Sequence, residues 1–499
     1  MNEGCCEGDF YMGQKNEKDR FERAVMHGDI VRMSRRGFLG GCAACAAGLA
    51  GVSAIGFGQA MAQEAQSGLE KARVRVFFTH KPPSNPTWPN IGYDYDGRKK
   101  VLLEKLQNSC TGIEFLPVTV GGVQRAKEIL AKDKDENIDG YVVYMVGIWT
   151  GVPQEVMQSG RPTILIDDLY GGSGEFLSAY SDAKRRDLKV TGVSSSRFED
   201  VAEAVKCFEC LKKLRSSAIL RVGTGFGCTE KGVQDVFGTK VIPIKYEQLN
   251  DAYIGADKTE AKKWADKWIN EAEKVVEPGR EEIEKSAAMY LAMKKLMDEN
   301  KAQAITINCL GGFYGGKIRA YPCLGFFQLN NDGLVGACES DLKSTITMLI
   351  IGYLTGRPGY ISDPVIDTSK NQIIYAHCVA MNRVYGPDGK TNPYHIRNHS
   401  EDRKGAAIRS LLPLGEMTTS LEFDPDKKEI IIHRANTVEN VEEDKACRTK
   451  LAAEPVGDIN KLLRYWDTWG WHRVTFYGDL RRPVEHIAAL LGFKIIEEA

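Results

Sequence analysis

LVGACESDLKSTITMLIIGYLTGRPGYISD, residues 334–363, places acids at both ends of one long apolar run. LVGAC reads as a buried strand, and LKSTITMLIIGYLTG is long enough for a helix of about four turns. PGYIS reads as a second strand. A strand–helix–strand unit of this kind predicts a right-handed crossover between parallel strands. Side chains at the carboxyl ends of parallel strands face the ligand crevice. Glu339 and Asp363 would then emerge at one sheet edge, close in space although far apart in sequence. Two carboxylates brought together repel, so one is protonated or a cation sits between them. The other reading makes Glu339 or Asp341 a helix N-cap and Asp363 a turn acid.

Towards the N-terminus, RVRVFFTH, GIEFLPVTV, IDGYVVYMVG and RPTILIDDLYGG are apolar strands that alternate with helical segments. That pattern predicts a parallel sheet covered on both faces, over residues 70–190. A second unit of the same type is expected over 191–363. Beyond Asp363 the strands shorten and turn residues crowd between them (QIIYAHCVAM, MTTSLEFD, KEIIIHRANTV, WHRVTFYGD). Residues 364–499 are therefore expected to form a mainly antiparallel, barrel-like β domain. The fold class is α/β: two doubly wound parallel-sheet domains followed by this β-rich one.

Composition excludes several classes. The chain has 499 residues, 43% hydrophobic and 27% charged, with a net charge of −1. Neither nucleic acid nor an anionic membrane surface is favoured as a partner. The thirteen cysteines follow no spacing that a disulfide framework needs. Cys207-Phe-Glu-Cys210 lies in a helical pattern with no second C-x-x-C to complete a zinc site, so packed thiols are expected there. VGTGFG (222–227) lacks the G-x-G-x-x-G spacing of a dinucleotide loop and reads as a tight turn at a strand end.

The leader has its own reading. MSRRGFL (33–39), a Gly/Ala-rich apolar run and Ala60-Met61-Ala62 resemble a twin-arginine export signal with an A-x-A cleavage pattern. Residues 1–62 are read as leader. An extracytoplasmic, periplasmic protein is expected, handled by the twin-arginine export machinery and free of the membrane after cleavage.

The run from Glu339 through TMLIIGYLTG to Asp363, the preceding INCLGGFYGGKIRAYPCLGFFQLNNDG and the tail WGWHRVTFYGDLRRPVEHIAALLGF together resemble the L-fucose isomerase family and, more distantly, L-arabinose isomerases. The resemblance implies that Glu339 and Asp363 are metal ligands and the catalytic acid/base pair, with His472 as third ligand. It implies Mn2+, for which, like Mg2+, an oxygen-rich site with one imidazole is suited. It further implies a small-molecule sugar substrate, aldose–ketose isomerisation through an enediol, and a homo-oligomer. His377 and Asp341 are candidates for a supporting or substrate-facing role. Trp88, in the Pro-rich loop after the first strand, is a candidate sugar-facing aromatic. His395 and His399, in YHIRNHS, are weaker candidates because Pro393 argues against a helix that would align them. Alternative readings are a periplasmic sugar-binding protein without catalysis, and an epimerase or dehydratase using the same enediol chemistry.

Overall fold

The computed structural model describes residues 70–499. Two parallel sheets, a closed antiparallel barrel and a small three-stranded sheet make up the architecture of these residues. The first sheet contains β1 (Ala72–Thr79), β2 (Ile113–Val120), β3 (Gly140–Met145), β4 (Thr163–Asp167) and β5 (Val190–Ser194) in the order β2-β1-β3-β4-β5. All its pairings are parallel. β3 and β4 are buried along their whole length, because helices cover both faces.

The second sheet holds β6 (Ala218–Val222), β7 (Lys240–Ile244), β9 (Ala304–Ile307) and β10 (Val335–Cys338), parallel, in the order β10-β9-β6-β7. Chain order reverses between β6 and β9, which opens a crevice at their carboxyl ends. The charged helical stretch before β9 is two helices, Lys258–Glu271 and Arg280–Glu299. Between them β8 (Lys274–Val275) pairs with β13 (Tyr394–Arg397), which in turn pairs with β14 (Ala407–Ser410). Cys207 and Cys210 are buried on the helix Phe198–Ser216, as packed thiols should be, and burial pushes both thiols far up.

The third sheet comprises β11 (Tyr360–Asp367), β12 (Gln372–His377), β15 (Met417–Asp424), β16 (Glu429–Asn440), β17 (Thr449–Pro455), β18 (Arg473–Tyr477) and β19 (Lys494–Glu497). Its order is β15-β18-β11-β12-β17-β16-β19, and β15 also pairs with β16. That last pairing closes a ring of six antiparallel strands and removes its free edges. β19 adds alongside β16 in parallel.

One expectation fails here. β11, which carries Asp363, lies in the barrel between β12 and β18, not beside β10 in the parallel sheet. The helix Leu342–Thr355 therefore bridges two sheets instead of crossing over within one. Its residues Leu342 to Ile351 are all buried. They share one core with the helix Phe198–Ser216 and with barrel residues Leu421, Phe423, Val474 and Phe476. A helix with protein on every side needs no polar stripe, which explains its composition. Thr345 and Thr347 satisfy their hydroxyls on the carbonyls four residues back. Asp341 caps the N-terminus, accepting from the Lys343 and Ser344 amides, and Gly356 at φ +70° ends the helix in the left-handed region.

Candidate metal centre

Three adjacent barrel strands bring residues to one place. His377 closes β12, Asp363 lies in β11, and His472 immediately precedes β18. Ser362 pairs with Arg473 and Asp363 with Ala376, so strand register brings Asp363 beside both histidines. Glu339 arrives from the other layer, at the carboxyl end of β10. Ligand atoms of Glu339, Asp363, His377 and His472 all lie within 4.8 Å of one another. His472 Nε2 is 3.5 Å from Glu339 Oε2 and 3.2 Å from Asp363 Oδ1. His377 Nε2 is 3.8 Å from Glu339 Oε1 and 4.0 Å from Asp363 Oδ2.

The donor set fits a divalent cation. Both Nε2 atoms are buried and without a hydrogen-bond partner, although each points at carboxylates. His472 Nε2 makes no hydrogen bond despite its 3.2 Å approach to Asp363. Leaving a buried polar atom unmatched costs about 1–3 kcal/mol, and two such atoms converge on one point. Burial, with Asp363 and Asp341 adding repulsion, pushes Glu339 up to about 7 against the pull of His472. Burial lowers His377 to about 4, so its ring is neutral. Burial opposes charging His472, but the Asp341 and Asp363 carboxylates raise it well above an ordinary imidazole. Asp363 is likewise opposed by burial, yet the His472 and His377 imidazoles and Trp471 hold it below the usual range. Three carboxylates against two imidazoles leave excess negative charge, which a cation would neutralise.

Backbone strain marks the same place. Glu339 at φ +65° and Ser340 at φ +55° are consecutive non-glycine residues in the left-handed region. Each costs on the order of 1–3 kcal/mol, and such strain persists where surrounding structure imposes it. Here Ser340 Oγ is 3.1 Å from the Arg221 Nε that donates to it, and Asp341 is already committed as a cap.

Several residues at the site were not legible beforehand. Phe226 stacks on the His472 ring, centroids 5.2 Å apart. Trp471 donates its indole N–H to Asp363 Oδ1 at 2.7 Å. Cys447 Sγ lies 3.8 Å from Asp363 Oδ2. The only advance signal for Phe226 was the glycine pattern of VGTGFG. That loop follows β6 at the crevice and packs on the Glu339 segment. A Cβ at Gly225 would lie 2.3 Å from the Ser340 carbonyl oxygen, and one at Gly227 (φ +101°) 2.4 Å from Asp341 Oδ1. Gly227→Ala is expected to destabilise the protein by about 1–3 kcal/mol through clash and backbone strain. Gly352→Ala, in a helix with nothing within 4 Å, should instead stabilise by about 0.5–1 kcal/mol. Denaturant midpoints of the two variants measure the contrast.

The remaining candidates lie elsewhere. His395 Nε2 pairs with Glu273 at 3.1 Å and His399 Nδ1 with Asp402 at 3.1 Å, and neither joins the cluster. Trp88 is 53% exposed on the loop after β1, with no hydrogen bond to the cluster. Asp341 does not line the centre but bonds the far side of the His472 ring, 3.0 Å from Nδ1.

No family model matches the chain. It is 21% identical over 311 residues to the sulfoquinovose isomerase of Alkalicoccus urumqiensis, covering 60% of this chain and 69% of that protein. It is 24% identical over 298 residues to the sulfoquinovose isomerase of Priestia megaterium, covering 58% and 66%. The Clostridium sp. (strain MSTE9) enzyme of the same name is 23% identical over 305 residues, covering 58% and 65%. The chain thus matches about two thirds of each relative's length. Among solved structures, a chain of the XylFII-LytSN complex is 14% identical and covers 50% of this chain and 85% of its own, with a TM-score of 0.16. These relatives correct the expected placement outside the cytoplasm. They are isomerases of a sugar, and the twin-arginine pattern on which export rested lies outside the described residues. Among the described residues no helix is long and apolar enough to cross a membrane. The sulfoquinovose isomerase matches support a sugar isomerase family for this chain.

Proposed function

We propose that the protein is a metal-dependent aldose–ketose isomerase, with sulfoquinovose the first sugar to test because the matched relatives carry that name. The observation that carries this reading is the convergence of two unpartnered imidazole nitrogens and two carboxylates within 4.8 Å. Glu339, Asp363, His377 and His472 would hold a divalent cation such as Mn2+ or Mg2+. When bound, such an ion supplies a Lewis acid that polarises the sugar carbonyl.

The chain's own groups supply the proton chemistry. The His377 and His472 imidazoles flank the Glu339 carboxylate, and it accepts no hydrogen bond among the described residues, so it would take a proton from the carbon bearing the hydroxyl and return it to the neighbouring carbon while the hydroxyl proton passes to the former carbonyl oxygen. Asp363 is held by the Trp471 indole and stands between both histidines, which suits it to binding and orientation. Trp471, 57% exposed, and Phe226, 46% exposed, offer aromatic faces at the mouth for sugar C–H groups.

The test is incubation of the Mn2+-loaded protein with a panel of aldoses, sulfoquinovose included, in deuterated water. A ketose product carrying deuterium at the exchanged carbon is expected. A product epimeric at one carbon, or a dehydrated one, would assign the site to a different reaction. Sugar binding with no turnover would make it a binding protein.

A further inference from the structure

We propose that the buried hydrogen-bond chain Glu422–Ser344–Asp341 is a positioning device that fixes which ring nitrogen of His472 carries the proton, and so tunes the affinity and selectivity of the centre for its cation. The inference rests on the metal-centre reading above.

Asp341 has two jobs of different kinds. Its Oδ1 accepts the Lys343 and Ser344 amides at 2.9 and 3.2 Å, which is ordinary helix capping. Its Oδ2 faces His472 Nδ1 at 3.0 Å and the Ser344 hydroxyl at 3.0 Å, which capping does not require. A carboxylate accepts only, so Nδ1 is the donor in this contact. When the ring gives up one proton to bind a cation, the proton that stays is the one held on Nδ1, and the Nε2 lone pair is left facing Glu339 and Asp363, as a metal ligand needs. Phe226 stacked on the ring limits its rotation.

The chain continues inward. Ser344 Oγ is also 2.7 Å from Glu422 Oε1. One hydroxyl proton cannot serve two carboxylates. If Glu422 is neutral, it donates to Ser344 Oγ, which then donates to Asp341 Oδ2. Glu422 is 1% exposed, and burial chiefly, with Asp341 adding repulsion, pushes it up to about 7. Lys343 Nζ stands 3.5 Å from Glu422 Oε2 and 3.6 Å from Asp424 Oδ2, and donates to the Trp469 carbonyl just before His472. With Glu422 protonated, every donor and acceptor in the relay is matched, and Asp341 Oδ2 is held in one position against the ring.

The experiment titrates Mn2+ and Mg2+ into the full-length apoprotein by calorimetry, with melting of each apo variant recorded alongside. Asp341→Asn retains a good cap but offers a weaker and reversible partner to Nδ1. It is expected to lower Mn2+ affinity by about 10–100-fold, the range for outer-shell partners of ligating histidines. Ser344→Ala is expected to lower it in the same direction by a smaller factor. In both, the ratio of Mn2+ to Mg2+ affinity should fall, because imidazole favours the transition metal. In a His472→Ala background, Asp341→Asn should cause no further loss. Unchanged Mn2+ affinity in Asp341→Asn and Ser344→Ala overturns the inference and leaves the metal reading standing. So does an equal loss with and without the His472 imidazole, which would make Asp341 a cap alone. If Asp341→Asn does not fold, Ser344→Ala decides by the same criteria. A wild-type protein that binds neither ion overturns the metal reading itself.

Discussion

Glu339→Gln is expected to lower kcat on the isomerised sugar by about 10²–10⁴-fold, the usual worth of a positioned general acid or base. The substitution keeps the side-chain length and one carbonyl oxygen, so the centre retains Asp363, His377, His472 and a weak neutral ligand. Cation affinity should consequently fall far less than turnover. The separation matters because Glu339 is assigned two roles, holding the ion and moving the proton. Measuring kcat at saturating Mn2+ removes the first from the comparison. Deuterium exchange from solvent into the sugar should disappear together with turnover. If saturating Mn2+ restores kcat to within a few-fold of wild type, Glu339 is a ligand only, and the proton is carried by another group. Asp363→Asn is the companion variant. Its oxygens take the Trp471 indole and stand beside both histidines, so its loss should appear mainly as weakened cation binding.

The acids at the centre were legible because burial and charge conflict there. Glu339 and Asp363 flank an apolar run that could only be buried, and a buried acid without a partner is unfavourable. The reason they meet was not legible. The crossover argument placed both on one parallel sheet, whereas Asp363 reaches the site through barrel strand β11. Periodicity distinguishes strand from helix but does not say which sheet a short apolar strand will join. His377 shows the same limit: its neighbourhood depends on β12 pairing with β11, a register no local pattern encodes. Phe226 was hidden behind a loop whose glycines read as turn-formers. Their requirement is steric, since the backbone passes against Ser340 and Asp341, and that pressure comes from a segment more than a hundred residues away. Ser344 and Glu422 carried no signal, because a serine in a helix and a glutamate in a strand look ordinary until both are buried facing the same carboxylate.

Glu498→Gln should produce the largest stability loss, about 3–5 kcal/mol, the range for breaking a buried ion pair by removing one partner. Arg473, the first residue of β18, is fully buried. Its Nε lies 3.1 and 3.0 Å from the two Glu498 oxygens, and its terminal nitrogen 2.9 Å from Oε2. His433 Nδ1 adds a contact at 2.8 Å, and the guanidinium lies over the Trp466 ring at 4.4 Å. The same guanidinium donates to the carbonyls of Trp466, Gly470 and His472. Without the carboxylate, its charge stays buried while the loop bearing Trp471 and His472 loses its anchor. Cation affinity should therefore fall along with stability, although Glu498 touches no ligand. The pH dependence separates this pair from general loosening. Burial opposes the Glu498 charge, but Arg473 and His433 hold it down from 4.5 to about 2. A depressed folded-state pKa contributes stability that is complete above the unfolded value and is lost as pH falls through the folded one. Wild-type unfolding free energy should thus decline between about pH 4.5 and pH 2, and in Glu498→Gln that part of the slope should vanish. A variant that is less stable yet keeps the full acid slope would place the titration on other carboxylates and leave Arg473 paired by some other group.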